Sequence, residues 1–292
     1  MRFDIVTIFP DFFTGPLTHG VLSRAIATDI VQVATHDLRA FTHDRHRTVD
    51  DRPFGGGEGM LLKPEPIFDC IESLGNESRS ESSAASPIAP KPMRDLTRQS
   101  VILLSAQGRP FTQATAARLA KLDRVVLICG RYEGVDERVN DLLADQELSI
   151  GDYVLSGGEL AAAIIIDAVT RLIPGVLGHA DSNRYESFGA PDVLPDDPAD
   201  GKTADGVPRS THGSGGILDY PQYTRPADFR GTPIPDVLAN GDHHSIRCWR
   251  RQAALAKTLR NRPDLLARAL LTDEDHEFLA DLGYETPHPD RL

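Results

Sequence analysis

Four stretches of the chain place reactive or ligand-binding residue types close together. The longest, Phe41 to Met60, interleaves His43, Arg45, His46, Arg47 and Arg52 with Asp44, Asp50 and Asp51, then runs into Gly55, Gly56, Gly57 and Gly59. Cations and imidazoles beside carboxylates can contact phosphates and base edges and can pair with one another. With too few apolar positions for either periodic element, the stretch reads as an exposed loop. Its glycines are not followed by the Gly-Lys-Ser/Thr of a phosphate loop, nor do they complete a GxGxxG after a strand, which disfavours nucleotide kinases and dinucleotide enzymes. The other three stretches are turns: Ser105 to Pro110, Gly130 to Arg138 and Ser149 to Leu160. Small residues there let a ligand approach the backbone, and free N–H groups at a helix start favour an electron-rich group.

Positioning such turns requires strands. Phe3–Phe9, Ile30–Thr35, Val101–Leu104 and Val125–Ile128 are apolar or alternating runs. Solid β-branched runs belong to parallel sheets. A helix is predicted from Asp11 to Asp29 and another over Thr112–Ala120, the latter completing a βαβ unit. Ligands of open α/β sheets sit at the carboxyl ends of strands, so the turns after Leu104 and Ile128 point to one crevice. Leu160–Leu172 reads as a helix apolar nearly all round, hence buried or in an interface. Near the end of the chain, Ile246, Trp249, Ala253 and Ala256 recur at helical spacing, with Arg247, Arg250 and Arg251 on another side.

The 292 residues are enough for about two domains. Two segments break the regular order: Asn76–Gln99, with five Ser and three Pro, and Gly189–Gly216, with six Gly and four Pro. Both read as flexible insertions. The formal charge of −12 opposes a polyanionic partner. Between Arg225 and Arg262, however, eight basic residues face three acidic ones, a local patch that can meet phosphate. Cys70, Cys129 and Cys248 match no metal or disulfide spacing and read as small buried hydrophobes, and no metal-ligand set is expected. No apolar window spans a bilayer and no secretory signal is visible, so the cytoplasm is the expected location and no membrane partner is expected.

The runs Phe41–Met60, Leu127–Val139, Ser149–Leu160 and Ile173–Gly178, with Tyr223–Pro226, resemble the bacterial tRNA (guanine-37-N1)-methyltransferases over nearly the whole chain outside the two insertions. The resemblance implies an α/β fold of the SPOUT class: a parallel sheet with a deep trefoil knot in residues 1–180, a linker at 181–216, and a helical tRNA-binding domain at 217–292. It also implies a homodimer with a shared active site. It further implies transfer of a methyl group from S-adenosylmethionine to N1 of guanine-37, with magnesium as an accompanying ion. The methyl donor is expected at Leu104, Ser105, Gly130, Tyr132, Glu133, Ile150, Gly151, Asp152, Tyr153, Val154, Leu155, Gly157 and Gly158. RNA is expected at His43, Arg45, His46, Arg47, Asp50, Arg52, Arg225, Arg247, Arg250 and Arg251.

Arg171 matches the family arginine that assists the guanine, and Glu186 stands where the family usually has its catalytic aspartate. Guanine N1 carries a proton at neutral pH, so a base must remove it before the nitrogen can attack a methyl group. A carboxylate supplies that base, and a guanidinium stabilises the charge pushed onto O6. Glutamate is one methylene longer than aspartate, which leaves Asp181 as the alternative base. Two other functions remain open: a knotted methyltransferase with another RNA target, and a tRNA-binding protein that has lost catalysis.

Overall fold

The computed structural model describes residues 1–75, 94–178, 186–189 and 215–284. The two insertions lie mostly outside these residues, as do Asp181 and Tyr185. The chain divides into two compact units, Met1–Gly178 and His179–Leu292.

In the first unit the order is β1 (Arg2–Thr7), α1 (Gly20–Ala27), β2 (Gln32–Asp37), β3 (Asp50–Asp51), β4 (Leu61–Leu62), α2 (Pro64–Gly75), β5 (Gln99–Pro110), α3 (Gln113–Leu119), β6 (Arg124–Cys129), α4 (Glu137–Leu142), β7 (Gln146–Ser149) and α5 (Glu159–Thr170). Five strands form one sheet in the order β2-β1-β6-β5-β7, every pairing parallel. The solid apolar runs follow from burial on both faces. Phe3, Ile5, Ile102, Leu104, Val125 and Leu127 enter one core, and their alternates Val6, Val101, Leu103, Val126 and Ile128 enter the other. Thr112 caps α3, its hydroxyl accepting the Thr115 N–H at 3.3 Å.

The long helix expected from Asp11 is corrected to two 3-10 turns, Pro10–Thr14 and Pro16–Thr18, followed by the shorter α1. Pro16 cannot donate into a helical ladder, and Gly20 sits at φ +67°, so no continuous helix can pass through them. The charged loop is also not structureless. Asp50 and Asp51 pair antiparallel with Leu62 and Leu61, and Val49 is buried.

The second unit contains a turn at Glu186–Gly189, then β8 (Asp228–Phe229), β9 (Thr232–Pro233), α6 (His243–Asn261), α7 (Pro263–Leu266) and α8 (Asp273–Asp281). Glu186–Gly189, expected in the linker, is held in place: Phe188 N–H donates to the Ile217 carbonyl at 3.0 Å and Asp219 N–H to Ser187 Oγ at 2.9 Å. The buried stripe of α6 is Arg251, Ala254, Leu255 and Thr258, whereas Ile246, Trp249, Ala253 and Ala256 are half-buried. The pattern is rotated because a charged residue faces inward. Arg251 donates to Asp275 from Nε at 3.0 Å and from its terminal nitrogen at 2.7 Å, which joins α6 to α8 beside Ile217 and Leu279. Cys70 and Cys129 are buried as expected, but Cys248 is exposed.

Candidate active site

The carboxyl ends of β5, β6 and β7 lie side by side, with Leu104 opposite Cys129 on one flank and Leu148 on the other. The first expected turn is a strand excursion. Leu104 and Arg109 both pair with Leu148, so Ser105–Gly108 bulges out between them. Gly108 permits this, since a Cβ there would lie 2.5 Å from the Leu148 carbonyl carbon.

After β6 the chain makes a tight turn, with Tyr132 at φ +60° and Gly134 N–H donating to the Arg131 carbonyl at 3.0 Å. The segment leaving β7 then returns past β5. Gly157 pairs with Arg131 and Gly158 N–H donates to the Gly130 carbonyl at 2.9 Å. Such an approach demands glycine, because a Cβ on Gly158 would fall 2.7 Å from the Cys129 Cα. Leu104, Ser105, Gly130, Tyr132, Glu133 and the Ile150–Gly158 residues, Asp152 and Val154 included, are therefore carried by strand ends and turns of one sheet edge. Within that arc Tyr132, Glu133, Asp152, Tyr153 and Val154 are exposed and Leu104 and Gly158 are buried.

The chain at the Met60 end of the charged loop joins this edge. Glu133 N–H donates to the Met60 carbonyl, Leu62 N–H to the Gly134 carbonyl and Asp136 N–H to the Leu62 carbonyl, each at 3.0 Å. Burial raises the Tyr132 phenol, and Asp50, which accepts its hydrogen bond, raises it further. Asp50 thus supports the turn. His43, Arg45, His46, Arg47 and Arg52 are exposed, with His43 2.9 Å from Asp69. Thr48 hydrogen bonds hold the Asp44 carboxyl below its usual range.

A buried polar circuit, invisible to sequence patterning, sits beneath the turns. Glu159, 1% exposed, accepts the Thr7 hydroxyl at 2.7 Å and Arg131 Nε at 2.9 Å. Arg131 also donates to the Ser156 carbonyl at 3.1 Å and lies 4.6 Å from the Phe9 ring centre. Phe9 N–H closes the circuit on Thr7 Oγ1 at 2.9 Å. Arg131 and Glu159 lie within the Gly130–Arg138 and Ser149–Leu160 turns, but nothing in their spacing distinguishes them from solvated charges.

Arg171 follows the last residue of α5 and is not among these residues. The twelve-residue helix is about 18 Å long. The chain beyond it packs where the strands begin, with the Val176 carbonyl held by Arg24 and Gly175 beside Ile30. In the second unit Glu186 is half-buried in the turn held by Ile217. Arg225 is exposed, and Arg250 stacks 4.8 Å from the Tyr220 ring centre. Arg247 is half-buried on the same helix. The expectation that Arg251 meets RNA is corrected, because its guanidinium is committed to Asp275 and buried. Near them Tyr223, Phe229 and Arg230 line an open cleft of about 420 Å³. Among the described residues no group of three or more His, Cys, Asp or Glu could hold a metal ion, and no helix is long and apolar enough to cross a membrane.

A model of the family described as tRNA (Guanine-1)-methyltransferase TrmD matches residues 1–268, which defines the molecule as a methyltransferase and hence an enzyme. Curated relatives are named tRNA (guanine-N(1)-)-methyltransferase. That of Koribacter versatilis is 56% identical over 282 residues, covering 97% of this chain and 98% of its own. Those of Dictyoglomus turgidum and Moorella thermoacetica are 46% and 45% identical, covering 98% of this chain and 98% and 100% of their own. The chain belongs to the tRNA (guanine-1)-methyltransferase family.

Proposed function

We propose that the protein methylates N1 of guanine-37 in tRNA with S-adenosylmethionine as donor, working as a cytoplasmic homodimer. The observation that carries this reading is the return of the β7 segment onto the β6 turn through Arg131–Gly157 and Gly158–Gly130. A chain that crosses back over its own sheet edge supports a trefoil knot. The residues fit the donor: three backbone segments converge there, and Gly130 keeps only hydrogen where a Cβ would lie 3.4 Å from the Leu104 carbonyl. When bound, S-adenosylmethionine supplies an electrophilic methyl group on a sulfonium. Leu104, Ser105, Gly130, Tyr132, Glu133, Ile150–Leu155, Gly157 and Gly158 would hold it, largely through backbone.

In this reading Glu186 removes the proton from guanine N1, and Arg171 stabilises the negative charge that develops on O6. Arg225, Arg247 and Arg250 engage phosphate, as do His43, Arg45, His46, Arg47 and Arg52. Residues 1–180 form the catalytic domain and 217–292 the tRNA-binding domain.

Two features support a shared active site. Arg171 follows the C-terminal end of a helix about 18 Å long whose first turn adjoins the donor turns, a separation that a second copy would bridge. Leu160 and Ile164 of α5 are also 49% and 47% exposed, an apolar stripe suited to self-association.

The decisive assay incubates the protein with methyl-labelled S-adenosylmethionine and tRNA, with magnesium and then with a chelator, and maps the modified base. Stoichiometric methylation at N1 of guanine-37 is expected, by a species that light scattering shows to be a dimer. Tight tRNA binding without methylation, methylation of another base, or full activity in a monomer would overturn the corresponding part.

A further inference from the structure

We propose that Glu159 is a positioning residue for the methyl donor: it fixes Arg131, and through Arg131 the Ser156–Gly157 backbone, so that the donor's turns are set before any ligand arrives. The proposal rests on the reading of those turns as the donor site. Three elements that are remote in sequence meet at this one carboxylate. Thr7 ends β1, Arg131 opens the turn after β6, and Glu159 begins α5.

Each member closes on the next. The Glu159 oxygens take one hydrogen bond from Thr7 and one from Arg131, leaving Arg131 a second donor for the Ser156 carbonyl. Thr7 is fully buried and its hydroxyl oxygen also accepts the Phe9 N–H, which holds the Phe9 ring against the same guanidinium. A circuit of this kind leaves Arg131 one position, and a guanidinium so oriented sets the height of residues 156 and 157 over the sheet edge. Lysine could neutralise Glu159 but has no rigid fork to reach Ser156 as well.

The adjacent glycine gives an independent sign of the same constraint. A Cβ on Gly157 would run into the Arg131 side chain and lie 2.6 Å from Glu159 Oε2. The absence of a side chain at 157 is thus matched to the ion pair, whereas the glycine at 158 is matched to the Cys129 backbone. Glu159 also stands in the first turn of α5, where the helix dipole favours a negative charge. Placing an anion there costs little and gives Arg131 a stationary partner.

The test is Glu159→Gln, which keeps shape and removes charge. Weakening a charge-assisted contact predicts a rise of about tenfold in the dissociation constant and KM for S-adenosylmethionine. Methyl transfer at saturating donor and tRNA should stay within about twofold of the parent rate, since no group touching guanine has changed. In the ligand-free protein, amide hydrogen exchange at Gly157 and Gly158 should accelerate. Arg131→Lys should show the same split, and covers the case in which Glu159→Gln fails to fold. Combining Gly157→Ala with Glu159→Gln should cost less than the sum of the two, because both displace the same guanidinium.

Unchanged donor affinity in a folded variant would overturn the proposal. So would a lost kcat with unchanged KM, or weakened binding with unchanged exchange at Gly157 and Gly158. If the parent protein itself bound no S-adenosylmethionine in calorimetry, the reading of the turns would fail; accelerated exchange alone would then show only a structural brace and overturn the positioning role.

Discussion

Arg131–Glu159 in the first unit and Arg251–Asp275 in the second are both arginine–carboxylate pairs with a buried carboxylate, and the two are put to different use. Arg251–Asp275 is 8% and 4% exposed and lies inside a small helical core, where it joins α6 to α8; Asp275 doubles as half of the capping box with Thr272. Arg131–Glu159 is 21% and 1% exposed and lies at the edge of a large sheet, under turns that face outward. The same chemistry therefore builds a fold in one unit and shapes a surface in the other. What differs is the surrounding apolar mass. Among the described residues five buried hydrophobic side chains make up the helical core, so the pair there is a principal tie. The sheet has two cores of its own and can spare Glu159 for geometry.

Four substitutions would break or sharpen this contrast. The largest effect is expected at Glu186, which belongs to the second unit yet is assigned to the chemistry. Glu186→Gln should slow single-turnover methylation by about 10²–10⁴-fold while leaving donor and tRNA affinity unchanged, as stopped reactions at saturating substrates would show. Parent-like chemistry would remove the base from the second unit's Glu186 and direct attention to Asp181.

Next comes Asp275→Asn, which leaves Arg251 buried without its counter-charge. A loss of about 3–5 kcal/mol is expected, read as a separate early transition in calorimetry. Affinity for tRNA should fall with it, and donor affinity should not. Loss of both together would mean that the units do not respond independently.

A smaller effect is expected from Asp4, buried on the interior strand β1 of the first unit. Burial works to raise its carboxyl, but hydrogen bonds from His36, Arg2 and Arg124 outweigh this and bring it from 3.8 down to about 2. A folded carboxyl that ionises below its unfolded value stabilises fully above about pH 4, and that contribution drains away as pH falls toward about 2. It amounts to about 2 kcal/mol. Asp4→Asn should therefore lower stability near neutrality and flatten the acid limb of the stability curve measured by denaturant titration.

The smallest change is expected at the exposed Arg225. Arg225→Ala should weaken tRNA binding uniformly across sequences and reduce the salt slope by about one counterion. An unaltered slope would show a merely solvated side chain.

Much of the architecture was legible from residue order. Val101–Leu104 and Val125–Ile128 announced a parallel sheet because burial on both faces leaves no polar positions. The glycines at 157 and 158 read as openings for a ligand, whereas in the structure they face the Arg131 side chain and the Cys129 backbone. Other features were not legible, for stated reasons. Pro16 and Gly20 overrode an apolar pattern that read as one long helix. Arg251 was taken for a surface cation because periodicity assigns charge to solvent, and only the arrival of Asp275 from α8, 24 residues later, makes burial tolerable.

The sequence by itself determined the strand runs, the turns that follow them, the local basic patch and the family to which the chain belongs. These depend on neighbours along the chain and on motifs long enough to be specific. Only the tertiary structure decided that Thr7, Arg131 and Glu159 form one circuit, that Asp50 braces Tyr132, and that Arg171 stands a helix length from the turns. Those outcomes depend on which strands pair and which helix ends meet, and pairing between residues as distant as Thr7 and Glu159 leaves no periodicity in the chain to read.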